Sequence, residues 1–376
     1  MHIHTIIAMA HAATAVLFRP AEWDHQSQVI MAWPSAENDA YNDAPDDLRL
    51  ATKDVSAIVE AVALFEPVTL LVTPDRASEA TQRFKKNLTN VKILPVEDYP
   101  KLDLWMRDMA PTFVFSYENN NSKAELFGVD FNFNGWGNKY PVGQRLSLAT
   151  ITLDDMKIPR MCSSVVTEGG SLEVDGEGTL LLTESSVLND NRNPCQSRED
   201  LEAEFSRTLG VKKFIWIPGR KGLELTDGHI DGLARFVAPG HVVISKPSQL
   251  DDDVWTKIYQ EAYAILKQAT DAKGRSLKIT EIIEADMNSI GLGKKELEDI
   301  NNGKEDAPAL TYVNYLLVNG GVIFPQFGDK KADAAALSVI RDLYKDRDVE
   351  PVFIGELPFL GGGIHCSTQE VPAAAK

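Results

Sequence analysis

The chain has 376 residues, 44% hydrophobic and 25% charged, the make-up of a soluble globular protein with ample material for a core. Its formal charge of −17 repels nucleic-acid phosphates and anionic membranes and favours cationic ligands, and no apolar run approaches the roughly 18–20 residues that span a bilayer. Three widely spaced cysteines, Cys162, Cys195 and Cys366, form neither a disulfide framework nor a zinc-ligand spacing, so a reducing, cytoplasmic setting is the default.

Residues 1–17 read as an amino-terminal extension. Ile6 to Phe18 is apolar, but the basic residues of a secretory n-region are missing, and His2, His4 and His11 belong to a tail rather than a metal site. A helix is predicted over Asp46–Phe65, a strand over Val68–Val72, a shorter helix over Asp75–Asn87 and a strand over Val91–Val96. Pro111–Phe133 carries two β-rich runs around the Asn119–Asn121 loop. Ser171–Thr183 reads as a hairpin turning at Asp175-Gly176, followed by a helix over Ser197–Leu209 with Ser197 and Asp200 at its cap, then a strand over Lys213–Pro218. The same order recurs as a hairpin over Leu233–Ser245 turning at Pro239-Gly240, a helix over Asp252–Asp271 and a strand over Leu277–Ile283. After a surface insertion at Gly291–Ala307 it recurs once more: a hairpin over Tyr315–Gln326 turning at Asn319-Gly320, a helix over Asp329–Lys345 and a strand over Pro351–Gly355. A unit repeated every roughly 60–80 residues, with no linker breaking the composition, predicts a closed array forming one domain over 1–376.

Four polar motifs sit near the predicted strand ends: Trp105-Met106-Arg107-Asp108, Glu168-Gly169-Gly170, Asp227-Gly228-His229-Ile230-Asp231 and Gly361-Gly362-Gly363-Ile364-His365-Cys366. Asp108 precedes Glu168 by 60 residues, Glu168 precedes His229 by 61, and His229 to Cys366 is about two periods. If each repeat contributes the same strand to a ring, these residues meet on its axis. A cysteine, a histidine and several carboxylates at one point suit attack on a cationic carbon. A thiolate divides one hard displacement into two easier ones, and a histidine moves the protons. The three glycines before Cys366 allow backbone to approach a ligand closely.

These motifs, together with Arg19-Pro20-Ala21-Glu22-Trp23, Phe131–Lys139, Asn189–Pro194 and Thr226–Gly232, resemble the agmatine deiminase and bacterial-type peptidylarginine deiminase family over nearly the whole chain. The resemblance implies a pseudo-symmetric five-bladed α/β propeller of ββαβ units, the pentein fold, and a hydrolase that deiminates a small cationic guanidino substrate without cofactor or metal. In that family pattern Cys366 is the nucleophile and His229 the acid and base. Glu168 matches the carboxylate that holds the imidazole, while Asp108 and Asp231 match those that grip the guanidinium. Trp105, Trp136, Arg107, Asp227, Gly361 and Gly362 are the further residues expected to bind substrate.

Agmatine, giving N-carbamoylputrescine for putrescine formation, is the first substrate reading; peptidyl-arginine and free arginine are the alternatives. Leu225 stands where many agmatine-specific members carry an acid, with Glu224 as its candidate substitute. A non-catalytic propeller lacks the Cys–His–carboxylate set, and a zinc deaminase needs an HxE and PCxxC pattern missing here. No nucleic-acid or membrane partner is expected, and the resemblance leaves room for a homodimer.

Overall fold

Val, Ile, Leu and Phe dominate the runs between the glycine turns, and these runs pair into five small sheets in the computed structural model. The structure describes residues 16–41, 43–85, 89–117, 124–140, 147–301 and 306–374. Four sheets follow one plan: an antiparallel pair, a helical crossover, and a third strand returning parallel to the second. They are Thr112–Tyr117 with Glu125–Asp130 and Arg160–Cys162, and Glu173–Val174 with Thr179–Thr183 and Lys213–Ile217. The other two are Ala234–Ala238 with His241–Lys246 and Lys278–Ile283, and Leu316–Val318 with Gly321–Gln326 and Asp348–Phe353. The fifth sheet joins residues far apart in sequence. Gln369–Pro372 pairs antiparallel with Gln26–Ala32, which runs parallel to Val68–Val72, itself parallel to Val91–Pro95. The result is the expected pseudo-symmetric five-bladed α/β propeller of ββαβ units.

Local chemistry explains the element boundaries. The hairpins turn on Gly176, Gly240 and Gly320, whose φ values of 68°, 73° and 73° lie in the left-handed region that favours glycine. Helix Arg198–Leu209 begins with a capping box, Ser197 accepting the Asp200 N–H while the Asp200 carboxylate accepts that of Ser197. Helices Val254–Gln268 and Lys330–Leu343 begin the same way, on the side chains of Asp253 and Asp329. Val68–Val72 is buried along its whole length and so reads VTLLV with no polar alternation. Helix Pro45–Val62 covers that blade, placing Val55, Ile58 and Val62 in one apolar cluster with Leu70 and Ile323.

Several boundaries differ from the sequence reading. The Gly291–Ala307 insertion carries a helix, Lys294–Asn301. The last crossover strand starts at Asp348, three residues before Pro351, because parallel pairing with Gly321–Gln326 reaches back over its charged end. Strands Gln26–Ala32 and Gln369–Pro372 were not expected; the second, QEVP, is too short and polar to register. Residues 1–15 of the expected extension, with their histidines, and the Asn119–Asn121 loop lie outside the described residues. Val16–Phe18 pairs antiparallel with Thr112–Tyr117. Among the described residues no helix is long and apolar enough to cross a membrane.

Candidate active site

Each blade's first strand is led in by a polar segment, and the five segments meet. Asp108, in the turn Met106–Met109, precedes Thr112–Tyr117; Glu168 and Gly170 precede Glu173–Val174. His229 and Asp231 flank the start of the turn Ile230–Gly232 before Ala234–Ala238. Asn314 precedes Leu316–Val318, and Cys366 precedes Gln369–Pro372. Gly170 sits where three of these side chains converge: a Cβ there would lie 2.5 Å from His229 Nδ1 and 3.1 Å from both Asp108 Oδ1 and Asp231 Oδ2.

His229 lies between two carboxylates, Nε2 3.4 Å from Glu168 Oε2 and Nδ1 3.7 Å from Asp108 Oδ1. Trp136 Nε1 donates to Asp108 Oδ2 at 2.8 Å, and the Gly170 N–H donates to Asp108 Oδ1 at 3.2 Å. The Cys366 sulfur is 3.7 Å from Asp231 Oδ2 and 3.2 Å from Asn314 Nδ2. Two buried polar atoms here have no hydrogen-bond partner, His229 Nδ1 and Asp231 Oδ1. A buried polar atom left unmatched costs about 1–3 kcal/mol, so this pair marks where a ligand's polar groups fit.

Behind the site lies a buried ionic layer. Arg192, in the Asn189–Pro194 segment, donates Nε to both Glu168 oxygens at 2.8 and 2.9 Å, and its NH1 to Asp227 Oδ2 at 2.8 Å. His365 bridges two carboxylates, Nδ1 to Asp231 Oδ2 at 2.6 Å and Nε2 to Glu22 Oε2 at 2.8 Å. Glu22 also accepts from Arg235 at 2.7 Å. Two of the residues expected to bind substrate belong to this layer. Arg107 faces away from the cavity and pairs with Glu370 at 2.5 Å, so its charge is spent inside the protein. Asp227 is likewise occupied, by Arg192, by Lys139 Nζ at 3.0 Å and by the Gly222 N–H at 2.7 Å. Gly361 and Gly362 do line the cavity, but a Cβ on Gly362 would strike the Trp105 ring, so that glycine makes room for protein. Asn314 was not singled out from sequence; Arg192 stood there only inside the Asn189–Pro194 motif, and His365 only as a positional neighbour of Cys366.

The electrostatics follow from burial and neighbours. Burial pushes the Asp108 carboxyl up to about 6, with His229 opposing and Glu168 adding to the rise. Burial would lower His229, but Asp108 and Glu168 prevail and lift it to about 9. Burial raises the Cys366 thiol well above its ordinary value, and Asp231 and Asp108 raise it further. Asp231 is held low against its burial chiefly by His365. Glu168 is held low in the same way by His229 and Arg192. Arg192→Met is therefore expected to strand the Glu168 charge and cost about 3–5 kcal/mol of stability. Chemical denaturation measures this, and a loss under about 1 kcal/mol would count against the buried pair.

The cavity over the site has a volume of about 1130 Å³ and is lined by Trp105, Trp136, His229, Asp231, Asn314 and Cys366, among others. Three basic residues on its wall are already paired: Lys101 with Asp39 at 2.6 Å, Lys139 with Asp227 at 3.0 Å, and Arg220 with Glu261 at 2.7 Å. Asp253, Glu284 and Asp286 lie on the same wall, so the lining favours a cation. Glu224, the candidate substitute for the missing acid, lines the cavity. Its carboxylate accepts the Thr226 N–H at 2.6 Å, the Thr226 hydroxyl at 2.7 Å and the Gly228 N–H, while Leu225 lines the cavity. Among the described residues no group of His, Cys, Asp and Glu is placed to hold a metal ion.

Known proteins match this architecture throughout. The family model for Porphyromonas-type peptidyl-arginine deiminase matches residues 18–372. The agmatine deiminase of Pseudomonas fluorescens (strain SBW25) is 34% identical over 372 residues, 95% of this chain and 96% of its own. That of Stutzerimonas stutzeri (strain A1501) is 36% identical over 368 residues, 95% of each chain. Among solved structures, the agmatine deiminase of Enterococcus faecalis superposes with a TM-score of 0.80 at 29% identity, covering 95% of this chain and 96% of that one.

Proposed function

The chain belongs to the Porphyromonas-type peptidyl-arginine deiminase family, and on that premise we propose that Cys366, His229 and the carboxylates around them deiminate agmatine. It is a hydrolase of guanidino carbon–nitrogen bonds, and its named relatives are agmatine deiminases. The observation that carries the site assignment is the pair of unmatched buried atoms, His229 Nδ1 and Asp231 Oδ1, beside a half-buried thiol in an acid-lined cavity.

The guanidinium enters with its N–H groups toward Asp231 and Asp108, which fix the planar cation near the sulfur. Burial, with those two carboxylates adding to it, keeps the thiol protonated before substrate arrives. The arriving cation cancels the carboxylates' field, and Cys366 releases its proton to solvent as substrate binds. The sulfur attacks the guanidinium carbon. His229, charged at neutral pH, gives its proton to the departing nitrogen, which leaves as ammonia. A cationic amidino thioether remains. His229 then takes a proton from water as the oxygen adds to the same carbon. The carbon–sulfur bond breaks, the adduct's hydroxyl proton returns to sulfur, and the ureido product, N-carbamoylputrescine, departs. Trp105 and Trp136 wall the alkyl chain.

Agmatine is favoured because the cavity wall suits a second cation, whereas free arginine brings an α-carboxylate against those acids. Ammonia release from agmatine, free arginine and an arginyl peptide separates the readings. Agmatine should exceed free arginine by about 10²-fold in kcat/KM, like-charge contacts costing several kcal/mol. An arginyl peptide that matched agmatine would move the assignment to peptidyl substrates.

A further inference from the structure

Three of the five segments that meet at the site carry a residue used in the reaction just derived, and a fourth carries Glu168, which contacts His229. The fifth, leading into the blade that begins with Leu316–Val318, contributes Asn314. It stands 52 residues before Cys366, within the two-period gap between His229 and Cys366. Its side chain is buried and lines the cavity.

The orientation of the Asn314 amide is fixed by its partners. Oδ1 accepts the backbone N–H groups of His365 at 3.0 Å and Cys366 at 3.3 Å, and backbone N–H can only donate. The opposite end must then be NH₂. One of its contacts is the Asp231 carbonyl at 3.4 Å, and the other is the Cys366 sulfur at 3.2 Å. Gly363 makes this clamp possible, because a Cβ at that position would lie 2.6 Å from Asn314 Oδ1. The sulfur needs such a donor, since Asp231 and Asp108 both oppose a negative charge on it. Asn314 and the Gly363 backbone both favour the anion.

We propose that Asn314 is a further catalytic residue, whose amide N–H bonds the Cys366 sulfur and stabilises its thiolate in both halves of the reaction. This rests on the reading of Cys366 as the nucleophile. In the first half, the bond holds the anion facing the guanidinium carbon. In the amidino thioether the sulfur is neutral and the bond is weak. As the carbon–sulfur bond breaks, charge returns to sulfur and a donor already in place meets it without reorganisation. The amide oxygen meanwhile fixes the backbone on which the sulfur is mounted.

The test is the pH dependence of Cys366 alkylation by iodoacetamide, in a Cys162→Ser, Cys195→Ser background so that only Cys366 reacts. Asn314→Ala and Asn314→Asp are compared with that parent, with thermal melting as the check on folding. Should the alanine variant not fold, Asn314→Ser replaces it, its hydroxyl being too short to reach the sulfur. The alkylation midpoint should rise by about one pH unit in the alanine or serine variant and further in the aspartate variant, which places a third carboxylate at the thiol. Turnover should fall by about 10²- to 10³-fold, as for loss of one preorganised donor, with KM changed less than threefold. A folded alanine or serine variant with an unmoved midpoint overturns the proposal. Cys366→Ala turnover separates the two readings: if that variant remains active the nucleophile assignment itself fails, and if it is inactive an unmoved midpoint counts against Asn314 alone.

Discussion

Cys366→Ala is expected to lose ammonia release by a factor on the order of 10⁵ or more, while still binding agmatine. No other thiol can substitute, because Cys162 and Cys195 are exposed and not part of the cavity. Binding should survive because Asp108, Asp231 and the aromatic wall, which hold the cation, are untouched. Calorimetric titration with agmatine and a coupled ammonia assay measure the two separately. Turnover within tenfold of the parent would end the covalent mechanism. Loss of binding along with turnover would mean that the sulfur holds the cavity together.

Asp108→Asn should reduce kcat/KM by roughly 10²- to 10³-fold, the range for removing one charge from a buried, hydrogen-bonded set. Its second effect is on pH. In the parent, Asp108 takes a proton below about 6 and His229 loses one above about 9, so activity should plateau between those values. Asp108 is the leading influence that lifts His229 against its burial. In the variant, the alkaline limb should therefore move to lower pH. Stability should follow in parallel. With a folded value near 9 against 6.5 for a free imidazole, His229 contributes stability fully below about 6.5 and loses it as pH rises through about 9. In Asp108→Asn that contribution should be smaller and its loss complete at lower pH. The asparagine can also accept from only one of Trp136 and Gly170, which costs about 1–2 kcal/mol. Rate profiles and melts between pH 5 and 10 test this, and an unmoved alkaline limb would detach His229 from Asp108.

The blade plan was legible because its signals are local. Asp175-Gly176, Pro239-Gly240 and Asn319-Gly320 turn hairpins through a backbone geometry that the sequence advertises. The Ser197–Asp200 cap starts a helix by chemistry confined to four residues. Strand Gln369–Pro372 exists only because Gln26–Ala32 offers it an edge more than 300 residues away, and nothing in QEVP announces that. The site divides in the same way. Asp108, Glu168, His229, Asp231 and Cys366 stand in compact motifs one or two periods apart. Arg107 and Asp227 stand in those motifs too, but spacing cannot tell a charge facing a ligand from one held by Glu370 or Arg192. Asn314 precedes a hairpin that was recognised. Counting one polar residue before each hairpin would have found it in the repeat left empty between His229 and Cys366.

Strand Gln369–Pro372 closes the ring by pairing with Gln26–Ala32, and Cys366 lies three residues ahead of it. During synthesis the earlier blades can form first, bringing Asp108, Glu168 and His229 near one another while the nucleophile is still being made. A nascent chain therefore carries a cation trap without a blade to cut. On the proposed mechanism, closing the ring and completing the reactive site are one event.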